Sequence, residues 1–246
     1  REFLGQRDLN FAVSKGDVFV IMGGNGCGKT SLMRALIGLQ RPAAGTVRYD
    51  GEDFWGGSEE SRERMKRRLG ILFQGGALWS SLTLAENVAL PLAEYTGLAP
   101  ARVAEIVSFK LALVGLAGFE DFYPSELSGG MKKRAGLARA MALDPDILII
   151  DEPSSGLDPL TARRLDDLIL ELRESLGTTI IVIVRPYRAA PCSRCSPGSS
   201  SRCSRCGFRR SRASRSSSSR SRPLYSSRRR GNTSSPSTIA RVSRIF

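Results

Sequence analysis

Apolar residues recur along this chain with two different periods. Residues 18–22, Val-Phe-Val-Ile-Met, form a short run rich in β-branched side chains. A glycine cluster follows, and then Leu32, Leu36 and Leu39 at helical spacing over 31–39. The order is strand, loop, helix. Residues 46–49 enter a tight turn at Asp50-Gly51, 59–68 read as a charged, exposed helix, and 69–73 as another apolar strand. From Leu82 to Leu143 the helical period dominates, most clearly over 101–113 and 131–141, which predicts an inserted helical subdomain covering about 77–143. Residues 147–150 are continuously apolar and end in Asp151-Glu152, the pattern of a parallel strand buried on both faces. Pro159 opens a helix with Leu165, Leu168, Ile169, Leu172 and Leu176 along one face, and 178–184 form the next buried strand. Alternating strands and helices predict an α/β fold with a small β region near the N-terminus.

After Val184 this pattern stops. Of the remaining 62 residues, 19 are Ser and 16 are Arg, and apolar periodicity is lost. Such a segment buries too little surface to offset its ordering entropy, so 185–246 is expected to be a disordered tail. The same boundary divides the net charge of +13. Residues 1–184 hold 21 Lys+Arg against 24 Asp+Glu, whereas the tail holds its 16 Arg and no acid. A basic nucleic-acid surface on the body is therefore not expected.

Apolar runs such as 180–184 are far below the ~18 residues a membrane-spanning helix requires. No segment has the order of a signal peptide, and a chain opening on Arg1 suggests that its start is missing. The chain has no histidine, which excludes Ser/His/Asp and Cys/His nucleophile pairs.

Candidate chemistry begins at Gly23-Gly24-Asn25-Gly26-Cys27-Gly28-Lys29-Thr30, which fits G-x-x-x-x-G-K-[ST] between a strand and a helix. Glycines let backbone N–H groups wrap a phosphate chain, Lys29 neutralises β/γ oxygens, and Thr30 offers a hydroxyl to Mg²⁺. Asp151 ends a buried strand where a carboxylate can hold the metal, and Glu152 follows it where a carboxylate can polarise an attacking water. Ser128-Gly129-Gly130 precedes a helix carrying Lys132, Lys133 and Arg134, and taken alone it is an ordinary N-cap.

Together with Phe73-Gln74, Leu127-Ser128-Gly129-Gly130, 149–153 and Ser155-Gly156-Leu157-Asp158, the phosphate loop stands in the order and spacing of ATP-binding cassette (ABC) ATPases. More narrowly, Phe73-Gln74-Gly75-Gly76-Ala77-Leu78 and 124–131 resemble the ATPase subunit of Mla/Mce-type lipid transporters, where methionine commonly follows Leu-Ser-Gly-Gly. The resemblance covers residues 1–184 and implies a P-loop NTPase core that binds ATP and Mg²⁺. ATP would be held by Gly23, Gly24, Asn25, Gly26, Cys27, Gly28, Lys29, Thr30 and Ser31. It implies Thr30, Gln74 and Asp151 at the metal and Glu152 as the catalytic carboxylate. It also implies a head-to-tail homodimer in which Ser128, Gly129 and Gly130 of one subunit complete the site at Lys29 of the other. Asp158 would couple the two sites, and Gln74 would link the nucleotide to a membrane permease subunit. The expected role is ATP hydrolysis on the cytoplasmic face of a bacterial inner membrane, powering lipid transport by partner subunits that handle the lipid.

This chain departs from that pattern in three places. The adenine-stacking aromatic of the family falls before Arg1, with Phe3 the only nearby substitute, and Phe3 reads better as a core or strand residue. Cys27 occupies a variable loop position, where a small side chain is tolerated and a thiol is open to oxidation. Most seriously, Arg185-Pro186-Tyr187 stands where the family has a histidine that contacts the γ-phosphate, and no closing strands are expected after it. A planar guanidinium does not reproduce an imidazole.

In the tail, Cys192, Cys195, Cys203 and Cys206 are spaced C-x₂-C-x₇-C-x₂-C, but the loop is short for a zinc ribbon and lacks apolar cover. A disulfide framework is less expected still beside cytosolic ATPase motifs. The Arg/Ser runs leave nucleic-acid binding as an alternative, although stacking aromatics are nearly absent and no specific nucleic acid is expected. Their composition is also that of a GC-rich gene read out of frame. A frame-shifted, inactive ATPase is the reading that best explains a break inside a motif.

Overall fold

The computed structural model describes residues 9–185 and the backbone of 238–245. Phe3, the cysteine tetrad and the Arg/Ser runs lie outside the described residues. The described residues belong to one unit, and Pro186–Pro223 lies outside them.

A parallel sheet of order β2-β7-β6-β5 is built from β2 (Val18–Met22), β5 (Leu69–Leu72), β6 (Ile147–Asp151) and β7 (Thr179–Val184). Its central strands are apolar except for Thr179 and the terminal Asp151, because both faces are covered. From β6, Ile147 and Ile149 join one core with Leu32, Met33 and Leu36 of helix α1 (Lys29–Leu36). Leu148 and Ile150 join a second core on the opposite face. The second core continues through α3 (Leu84–Tyr95), α4 (Pro100–Leu113), α5 (Gly129–Ala140) and α6 (Pro159–Leu176), so the helical region shares its core with the sheet. Each fully buried Leu or Ile contributes about 1.5–3 kcal/mol.

The smaller sheet, of order β1-β8-β3-β4, holds β1 (Leu9–Ser14), β3 (Thr46–Tyr49), β4 (Glu52–Asp53) and β8 (Thr238–Ile245). Tyr49 ties it to α1, donating its hydroxyl to the carbonyl of Leu36 at 2.7 Å. Its fourth strand corrects the sequence reading, which expects no closing strand. Thr238–Ile245 forms β8, antiparallel to both β1 and β3, with Val242 in register with Phe11 and Val47. A strand between two others gains backbone partners on both edges, and these come from residues about 190 to 235 positions earlier, which local composition does not reveal.

Two side chains that share the helical spacing of buried residues are exposed. Helix α1 ends at Leu36, and Gly38 at φ +82° turns the chain so that Leu39 and Gln40 both donate to the carbonyl of Arg34; Leu39 is 67% exposed. Leu176, in the last turn of α6 before the left-handed Gly177, is also exposed. The charged helix α2 (Glu59–Arg67) follows its Ser58 cap as its spacing predicts.

Helix α3 starts on a capping box, with Glu86 N–H donating to Thr83 Oγ1 and Thr83 N–H to Glu86 Oε2. The loop before it is held by buried Asn87. Its amide donates to the carbonyls of Trp79 (3.0 Å), Leu82 (3.1 Å) and Thr83 (2.8 Å), and its oxygen accepts from Trp79 N–H (2.7 Å). Asn87→Leu removes all four bonds at a position with no access to water. It is expected to lower unfolding free energy by roughly 1–3 kcal/mol, read as a lower urea midpoint at unchanged m-value.

Candidate functional site

Parallel register brings four strand ends level with one another. Met22 pairs with Val184, Asp151 with Ile183, and Leu72 with Ile150. The next residues along each strand, Gly23, Arg185, Glu152 and Phe73-Gln74, therefore emerge side by side at the carboxyl edge, where open α/β sheets place their ligands. Two further bonds continue the ladder past the strands, Gly23 N–H to Val184 O at 3.4 Å and Glu152 N–H to Ile183 O at 2.8 Å.

From Gly23 the loop folds tightly into α1. A Cβ on Gly23 would lie 2.5 Å from Cys27 Sγ, and Gly26 and Gly28 take φ +73° and +88°, a region that only glycine enters cheaply. Beta carbons built on Gly24 and Gly26 would meet nothing within 4 Å, so this face of the loop is open. Gly28 caps α1 without a side-chain bond, leaving N–H groups of the first turn directed outward. Lys29 is buried and donates to the carbonyls of Gly23 (2.6 Å) and Gly24 (2.8 Å), which fixes its ammonium under the loop. Thr30 is exposed in the same turn, and Ser31 and Cys27 are half-buried.

Across from the loop, Asp151 closes β6. Burial, then the neighbouring Glu152, push its carboxyl above the usual range, while Lys29, Arg185 and Lys133 oppose that shift. Glu152 is buried and takes φ +45°, a left-handed conformation unusual for a side chain with a Cβ. Its carboxylate accepts from Gln74 Nε2 at 3.1 Å and is ion-paired with Arg185 Nε. Gln74 also donates to Ser155 Oγ at 3.2 Å, so its amide nitrogen is committed within the chain. Sequence reasoning gave Glu152 neither of these partners.

It also missed Lys133, treated only as part of a basic run. Lys133 is buried on α5 and donates to the Glu152 carbonyl at 3.0 Å, and burial pulls its ammonium below the ordinary lysine range. The helical spacing Gly130, Lys133, Gly136, Leu137, all buried, is the signal that could have placed it on an inward face.

The remaining expected residues sit at helix starts. Ser128 caps α5 by accepting from Met131 N–H at 3.3 Å, and Asp158 caps α6 by accepting from Leu160 and Thr161 N–H at 3.1 and 3.0 Å. The Thr161 side chain first, and then these backbone bonds, hold the Asp158 carboxyl below its ordinary range. Ser128 and Gly129 are exposed. Gly130 is buried, and a Cβ there would come within 2.5 Å of Thr161 Cγ2, which gives it a packing role between α5 and α6. None of the three bonds to the phosphate loop of its own chain among the described residues.

The donor set suits MgATP. Thr30, Gln74 and Asp151 offer hard oxygens, and among the described residues no group of three or more His, Cys, Asp or Glu is present to cage a metal alone. Mg²⁺ commonly takes one or two carboxylates and completes its shell with water and phosphate.

The family model described as ABC transporter matches residues 6–155. The chain is 43% identical over 183 residues to the probable ribonucleotide transport ATP-binding protein mkl of Mycobacterium tuberculosis, covering 74% of this chain and 51% of that one. It is 43% identical over 176 residues to the intermembrane phospholipid transport system ATP-binding protein MlaF of Haemophilus influenzae, covering 72% and 67%. It is 42% identical over 177 residues to the methionine import ATP-binding protein MetN of Ralstonia nicotianae, covering 72% and 50%. The chain thus spans about half the length of the first curated relatives it matches. Among solved structures, a dimeric ATP-binding cassette in a post-hydrolysis state bound to ADP and Pi superposes with a TM-score of 0.65 at 29% identity, covering 71% of this chain and 77% of that one.

One contact ties Gln74 to the Ser128 helix. A Cβ on Gly136 of α5 would lie 2.8 Å from the Gly76 carbonyl and 2.9 Å from its Cα. Gly136→Ala must therefore displace the loop that carries Gln74 without touching residues 23–30. Nucleotide affinity is expected to hold while hydrolysis falls on the order of 10- to 100-fold, measured by fluorescent-nucleotide titration beside phosphate release.

Proposed function

The chain belongs to the ABC transporter family of ATP-binding proteins, and on that premise we propose that it binds MgATP at residues 23–31 and hydrolyses it to power a separate membrane permease. The observation that carries this reading is the convergence of Lys29, Asp151, Glu152 and Gln74 at one edge of the parallel sheet. Lys29 and the outward N–H groups of α1 neutralise and orient the phosphates. Thr30, Asp151 and Gln74 would hold Mg²⁺, which would supply positive charge to offset that of the phosphates. Glu152 orients the attacking water and accepts its proton, with Gln74 fixing one carboxylate oxygen.

Ser128 and Gly129, exposed on the first turn of α5, fit the role of completing the site of a second copy in a head-to-tail dimer, and Asp158 fits the coupling role. The dimeric state of the matched cassette supports that assembly. Phospholipid as cargo rests on the stretches 73–78 and 124–131 and on the likeness to MlaF. Likenesses of equal strength to mkl and MetN, named for ribonucleotide transport and methionine import, give cargo less weight than ATP hydrolysis. Trp79, 62% exposed just beyond the Gln74 loop, offers an apolar contact for a permease on the cytoplasmic face of the inner membrane. Among the described residues no helix is long and apolar enough to cross a membrane.

For residues 185–246 the proposal is a frame-shifted closing segment, supported by the composition break after Val184, with the pairing of β8 to β1 and β3 counting against it. An intact reading frame with no cassette-like coding sequence in the alternative downstream frames would overturn it.

Two substitutions test the ATPase reading. Glu152→Gln is expected to keep ATP binding within about twofold and to lower turnover by 100-fold or more, in the range of a lost general base. Lys29→Ala is expected to abolish measurable binding. Unchanged hydrolysis in Glu152→Gln would remove Glu152 from its role.

A further inference from the structure

Both oxygens of Glu152 are engaged within the chain. Oε2 accepts from Gln74, and Oε1 is ion-paired with Arg185, the first residue after β7. The pairing follows from the backbone. Glu152 N–H bonds to Ile183 two residues before Arg185, and the positive φ of Glu152 holds the residue at this strand end. The two side chains are also unequal, because that of Glu152 is 9% exposed and that of Arg185 is 52% exposed. A buried carboxylate has few other ways to satisfy its charge, whereas a half-exposed guanidinium can turn into water at little cost. The contact therefore constrains Glu152 more than it constrains Arg185.

We propose that Arg185 is an inhibitory latch on Glu152, resting on the ATPase reading above and on the contact itself, whatever the origin of residues 185–246. A water molecule activated by Glu152 must compete at the carboxylate with the charge-assisted bond from the guanidinium at Oε1, because Gln74 already holds Oε2. Release of Arg185 frees Oε1 for that water. Nucleotide capture does not depend on that release, since the Lys29 loop is held by the carbonyls of Gly23 and Gly24. The latch thus lowers kcat and leaves ATP affinity alone. A simple structural anchor would do the reverse, because losing it would let Glu152 drift and slow the reaction.

Steady-state ATP hydrolysis by the full chain, with Arg185→Ala and the longer neutral Arg185→Gln compared with the parent, decides the matter. Both variants are expected to raise kcat at least threefold with KM for ATP unchanged within twofold. The double variant Glu152→Gln/Arg185→Gln is expected to stay as slow as Glu152→Gln, because the gain runs through that carboxylate. A kcat that is unchanged or lower in both single variants, with melting temperatures matching the parent, overturns the latch. So does acceleration that persists in the double variant. If one single variant melts early, the other carries the test. The ATPase reading stands or falls separately: should Lys29→Ala bind ATP normally, that reading fails, whereas lost binding in Lys29→Ala and lost turnover in Glu152→Gln with no Arg185 acceleration sink only the latch.

Discussion

With apolar side chains on both faces, β6 and β7 are stable only in the middle of the parallel sheet, and every distance at the site follows from that position. Two independent cores meet across these strands, one behind α1 and one beneath the helical region. Displacing either strand by one residue would turn its buried residues to the wrong core, so the register is strongly fixed. A fixed register places Gly23, Arg185, Glu152 and Gln74 at one level without any direct selection on the distances between them. The chemistry inherits its precision from packing that lies several residues away.

Charge is concentrated at that edge. Lys29, Lys133 and Arg185 surround Asp151 and Glu152, and each cation is held by a different element: the phosphate loop, α5 and the end of β7. Burial raises the cost of leaving any of these groups unpaired, which is why Lys133 is satisfied by a backbone carbonyl and Lys29 by two. Such a cluster binds α5, β6 and β7 together, and it makes the ionic state of the two carboxylates depend on all three elements.

Much of this was legible in one dimension. The strand, glycine loop and helix around Lys29, the two-sided strand before Asp151 and the Asp158 cap all depend on neighbours within a few residues. Leu39 was misjudged because spacing alone does not register that Gly38 stops the helix. The β8 strand was missed because Thr238–Ile245 has no strong alternation, and its place is set by pairing with β1 and β3 far back in the chain. Lys133 and Arg185 were visible as residues, but their partner was not. Glu152 lies 19 positions from one and 33 from the other, and only the packed sheet brings the three together.

The contact between Gly76 and Gly136 carries a mechanical consequence. Two backbones meet there with no side chain between them, so there is no rotamer to absorb a small displacement. Arg139 adds a second tie, donating to the Ala77 carbonyl at 2.5 Å. The turn after β5 and the helix headed by Ser128 therefore move as one stiff lever. Any rotation imposed on that helix from outside reaches the amide of Gln74 undamped, and a change in what Gln74 holds is returned along the same arm.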